Sequence, residues 1–106
     1  MADVAELKAA LVAALSPLNG ITWKRMFGCD SVFYNDVIFA LVWKEGRLGL
    51  KYTEPEDFAE RMAQSGSDRW SPGGRTTKHW IFIPSSVAES TSQLSGWAGI
   101  AHATIL

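Results

Sequence analysis

Seven apolar residues follow one another without a break: Val37-Ile38-Phe39-Ala40-Leu41-Val42-Trp43. A strand with one wet face alternates polar and apolar side chains, so an unbroken run requires cover on both faces. The run is far shorter than the roughly 20 apolar residues that cross a bilayer as a helix. Turn signals bound it, Asn35-Asp36 before and Lys44-Glu45-Gly46-Arg47 after. Asn and Asp accept the left-handed backbone of a two-residue hairpin turn better than most residues. Val37–Trp43 is therefore expected to be a central strand of an antiparallel meander. Val32-Phe33-Tyr34 precedes it and Leu48-Gly49-Leu50-Lys51-Tyr52 follows it.

The flanks supply helices and further strands. Val4, Leu7, Leu11 and Leu15 share one face of a helix predicted over residues 3–16, with Asp3 and Glu6 as a capping pair and Ser16-Pro17 as its stop. Asn19-Gly20 turns the chain into a strand over residues 21–27. A second helix begins at a Thr53-x-x-Glu56 capping box, stacks Phe58 on Met62, and ends at Gly66. Residues 69–71 and 76–83 form a hairpin around Pro72-Gly73-Gly74, with Trp80 and Phe82 on one side and His79, Ile81 and Ile83 on the other. Pro84 ends that strand, Ser86 and Glu89 open a short helical turn, and a last helix from Thr91 carries Leu94, Trp97, Ala98, Ala101 and Ile105. The expected fold is α+β: one domain over residues 1–106, an antiparallel sheet of about five strands, and the order α, three or four strands, α, two strands, α.

Composition narrows the function classes. Hydrophobic residues are 47% and charged residues 20%, which argues for a packed core and against disorder. The net charge of -1 leaves no global electrostatic footprint for nucleic acid. One cysteine, Cys29, excludes an intramolecular disulfide framework. Met1–Lys8 has no basic segment ahead of an apolar stretch, so it reads as mature helix and the cytoplasm is the expected compartment.

Several short runs, taken in order, resemble the N-terminal domain of the TfoX/Sxy competence regulators. They are Lys24-Arg25-Met26-Phe27-Gly28, Phe39-Ala40-Leu41, Arg47-Leu48-Gly49-Leu50-Lys51, the aromatic strand of Trp80 closed by Pro84, and the Leu94…Trp97-Ala98 helix. The likeness covers about residues 7–103. The chain departs from the family pattern at Gly49, where an aromatic is usual, at Cys29 in place of a second glycine, and at Trp80-Ile81 in place of two aromatics. The resemblance implies a secretion-chaperone-like α+β fold, of a kind that often dimerises, and a regulatory rather than catalytic role. Larger family members carry a second, C-terminal domain that these residues do not contain.

Each candidate site has a structural reading beside it. In the strand over residues 21–27, Ile21, Trp23, Arg25 and Phe27 share a side. Either Arg25 faces inward and finds a partner, or a bend at Gly28 releases it. On the structural reading Met26 and Phe27 are core and Gly28 a bend. On the functional reading Lys24, Arg25 and Lys51, with Arg75 and Lys78 of the later hairpin, meet an anionic partner. Cys29 with His79 or His102 could make a nucleophilic pair, but Asp30 beside it would raise the thiol pKa. Cys29, Asp30, Asp36, His79 and His102 have no metal-ligand spacing. Pro72-Gly73-Gly74-Arg75 lacks the longer glycine pattern and lysine of a phosphate loop. His102, in the last helix, is expected to be exposed or to sit favourably near the helix C-terminus. The reading that follows is a non-enzymatic regulatory domain with no catalytic residues, cofactor or metal, no membrane contact, and a protein partner, chiefly a second copy of itself. Nucleic-acid binding by the basic residues is the second reading. A ligand site or enzyme near Cys29 and His79 is the third.

Overall fold

The computed structural model describes residues 4–26, 28–43, 46–70, 79–103 and 105. Helix α1 (Val4–Leu15) buries Leu7, Leu11, Ala14 and Leu15 on the expected stripe. Gly20, at φ 77°, turns the chain into strand β1 (Ile21–Met26). Strand β2 (Cys29–Tyr34) starts three residues earlier than the apolar pattern suggests. The pairs Met26↔Cys29 and Arg25↔Asp30 carry the ladder back to a tight turn. Gly28 takes φ 74° in that turn, a backbone that other residues adopt only with strain. Asn35 and Asp36, at φ 51° and 62°, make the left-handed two-residue turn into β3 (Val37–Trp43). Strand β4 (Arg47–Lys51) completes the meander.

Helix α2 (Pro55–Met62) starts one residue later than the proposed capping box. Proline drives the residue before it into extended geometry, so Glu54 (ψ 125°) becomes the cap and Thr53 lies outside. The helix closes on Ala63, and Gly66 (φ 91°) belongs to the turn beyond. Strands β5 (Asp68–Arg69) and β6 (Trp80–Phe82) pair antiparallel, helix α3 is Ser85–Ala88, and helix α4 is Thr91–Ala103. The Pro72-Gly73-Gly74 turn, Arg75 and Lys78 lie outside the described residues, as does Phe27.

The strands form one antiparallel sheet of six, ordered β1-β2-β3-β4-β6-β5. Helices α1, α3 and α4 cover one face. Leu11, Leu15, Val32, Ala40, Leu48, Leu50, Ile81 and Leu94 pack there with at most 1% exposure. Complete burial of each leucine, isoleucine or valine among them contributes about 1.5–3 kcal/mol. The opposite face is a second apolar layer of Cys29, Leu41, Trp70, Trp80 and Phe82, with Ile38 and Trp43 at its margin. The unbroken run of β3 is thus covered on both faces, as expected.

One irregularity links the layers. Val32 pairs with Ala40 but Phe33 pairs with Ile38, so Phe39 is an extra residue, a β-bulge. The bulge resets strand parity, and Phe39 joins Ala40 and Val42 on the helix side while Ile38 and Leu41 face the aromatic layer.

Candidate functional site

The cations singled out in the sequence do not meet on one surface. Lys24 and Arg25 are neighbours in β1 and leave opposite faces of the sheet. Lys24 lies over the Phe33 ring at 5.2 Å and 4.0 Å from Asp36. Arg25 stands on the helix side, where Asp30 also takes an ion pair from Lys8 at 3.4 Å. Lys51 is on β4, three strand intervals away, or roughly 14 Å.

Arg25 resolves the question posed by strand parity. It shares its side with the half-buried Trp23, but its guanidinium is at the strand end and its side chain is 69% exposed. Its Nη2 donates to the Gly28 carbonyl at 2.8 Å and its Nη1 to Asp30 Oδ1 at 3.5 Å. Arg25 therefore braces the β1–β2 turn. The reading of Met26 as core is corrected: it is 41% exposed, because the layer opposite the helices does not extend over the edge strand at that point.

Two arginines that sequence reasoning passed over are more deeply engaged. Arg47 Nη1 donates to Asp68 at 2.8 Å. Its Nη2 donates to the carbonyls of Gly66, Phe82 and Ile83 at 3.1–3.4 Å, and the guanidinium lies over the Phe82 ring. Its forked donors are occupied, so it holds structure rather than awaiting an anion. Arg61 lies between the rings of Tyr52 and Trp97, at 5.8 and 5.4 Å, with Nη1 3.1 Å from Glu60. Tyr52 is fully buried and donates its hydroxyl to the Trp97 carbonyl at 2.8 Å. Burial pushes its phenol well above the ordinary range, partly offset by the charge and hydrogen bond of Arg61. The available signal was weak: a polar residue closing an apolar strand just before the α2 turn.

Cys29 and His79 do not form a pair. Cys29 is buried in the aromatic layer, where its thiol donates to the Met26 carbonyl at 3.2 Å. His79 enters β6, separated from β2 by β3 and β4, and its carbonyl accepts from the Tyr52 amide. His102 stands in the last turn of α4, near the helix C-terminus as expected, but is not fully exposed. Its ring is half-buried against Tyr34 and Phe39, with centroids at 4.3 and 5.6 Å. Among the described residues no group of three His, Cys, Asp or Glu side chains could hold a metal ion.

A cleft of about 480 Å³ opens between α1, the start of β4 and α3, and includes Glu6, Arg47, Leu48, Ile83 and Glu89. Its one arginine is consumed by Asp68 and backbone carbonyls, and of the two glutamates Glu6 is on α1 and Glu89 caps the end of α3. Among the described residues no helix is long and apolar enough to cross a membrane.

The class is set by this architecture: an α+β domain whose open antiparallel sheet carries helices on one face and tryptophans on the other. The sequence model of the TfoX N-terminal domain matches residues 13–105, and the chain belongs to that family. No curated protein and no solved structure matches the chain.

Proposed function

We propose that this chain is a non-enzymatic regulatory domain that works in the cytoplasm through protein contacts, chiefly with a second copy of itself, in control of competence or transcription. Family membership supports a regulatory domain in general. The observation that carries the contact is the β1 edge. Among the described residues, β1 is an outer strand of six residues with no strand beyond it, whereas the other edge, β5, has two. A long edge offers a row of backbone donors and acceptors for an added strand. A two-fold axis would pair β1 with its copy antiparallel and continue the sheet. Edge lysines and arginines ordinarily oppose such pairing. Here Lys24 and Arg25 each have an own-chain carboxylate within 4.0 Å, which reduces the repulsion between copies.

Sedimentation equilibrium across the micromolar range tests this. A monomer–dimer equilibrium is expected, and the doubly substituted Thr22→Lys, Met26→Lys chain should dimerise at least ~10-fold more weakly with its melting temperature retained. A strict monomer at every concentration overturns the proposal. The basic-face reading has no convergent cation surface among the described residues to support it.

A further inference from the structure

Helix α2 is held differently from the other helices. Helix α1 buries Leu7, Leu11, Ala14 and Leu15, α3 buries Val87 and Ala88, and α4 buries Leu94, Ala98 and Ala101, whereas α2 buries no residue. Its eight residues are too few to persist as an isolated helix, so its stability has to come from docking. Its cap, Glu54, makes no side-chain hydrogen bond to the first turn. The helix packs chiefly on β6, and its large apolar residues, Phe58 and Met62, are only half-buried against the core. Glu54, Pro55, Glu56, Ala59 and Glu60 are exposed.

One side chain of α2 is mostly enclosed: that of Arg61, 13% exposed. Its guanidinium lies between the rings of Tyr52, just past the end of β4, and Trp97 of α4. Its carboxylate partner, Glu60, is itself 70% exposed. Water screens such a pair, so the two rings provide the main hold. Arg61 Nε is buried with no acceptor among the described residues, a cost that the docked form bears and that water would relieve. The Ser67 hydroxyl donates to the Arg61 carbonyl at 2.7 Å and ties the end of α2 to the turn before β5.

An element with no buried residue and few apolar attachments opens more readily than the core it lies on. We propose that α2 is a strap that opens as a unit while the sheet, α1 and α4 stay folded, and that Arg61 is its latch. Opening uncovers the ring faces of Tyr52 and Trp97 that Arg61 covers. Strands β2, β3 and β4 separate β1 from β6, so the strap is remote from the β1 edge and does not depend on dimerisation.

Native-state amide exchange at low urea concentrations tests this. The amides of residues 58–63 should be protected at least ~100-fold less than those of Leu41 and Val42 in the middle of the sheet. Their exchange should depend little on urea, because opening α2 exposes little surface. Val32→Ala leaves a cavity in the helix-side core, away from α2. It should quicken exchange at Leu41 and Val42 ~10-fold and leave α2 unchanged, since it weakens the docked and open forms alike. Arg61→Ala keeps helix propensity but removes the latch, and should quicken α2 exchange ~10-fold. The proposal is overturned if the α2 amides share the urea dependence of Leu41 and Val42, if Val32→Ala quickens both sets equally, or if Arg61→Ala leaves α2 exchange as it is in the parent.

Discussion

At Gly49 a methyl group would lie 3.0 Å from Leu41 Cδ1 and 3.5 Å from Trp80 Cε3. The residue that departs from its family's usual aromatic is thus where the strand lets Leu41 and Trp80 close over it. Gly49→Val should destabilise by about 1–3 kcal/mol, the usual range for overpacking a full core, as read from the urea midpoint. Tyr52 is a second residue whose burial has a measurable consequence. Tyr52→Phe leaves the Trp97 carbonyl without its donor and should cost about 1 kcal/mol. The phenol also links stability to alkaline pH. Its folded pKa is raised and its unfolded pKa is ordinary, about 10. Below that value both states keep the proton and its contribution is fully present. Above it the unfolded chain ionises first, and stability falls as pH rises towards the folded pKa. The urea midpoint should therefore drop more between about pH 8 and pH 11 in the parent than in Tyr52→Phe.

Among the elements, the last strands depend on Arg47. Its guanidinium reaches the turn before β5, Asp68 of β5, and the end of β6, tying three segments to β4. Arg47→Met should lower stability by about 2 kcal/mol, and Arg47→Lys should recover little because an ammonium cannot reproduce the fork. Amide exchange should quicken in β5 and β6 before it does in β1 and β2. Element type was legible wherever one signal dominated: the apolar run of β3, the Asn35-Asp36 turn, and the spaced leucines of α1. The start of β2 was not, because Cys29 and Asp30 join the ladder through their pairing with β1. The bulge at Phe39 was also hidden, since an all-apolar run has no alternation for an extra residue to interrupt. The α2 cap was misread because Thr53-x-x-Glu56 is a valid local signal overruled by Pro55.

For the molecule as a whole, kinship was easier to read than any site. Family-like runs are spread along the chain, and each fixes a piece of backbone. Surface chemistry depends on which side chains converge, and strand parity alone already sends Lys24 and Arg25 apart. That Lys51 has no ion pair among the described residues is a property of its neighbours in space, so no local pattern around Leu50 or Tyr52 could announce it.

The two-layered core also divides the tryptophans. Trp43, Trp70 and Trp80 form a chain of edge-to-face rings, each step 5.3 Å between centroids. Trp23 and Trp97 pack on the helix side. Indoles this close share their electronic transitions, so the first three should produce an exciton band in circular dichroism, while the other two contribute ordinary emission. The protein thus carries an independent optical reporter on each side of its sheet. Whether the two signals vanish at the same denaturant concentration would show directly if the layers melt as one unit or in sequence.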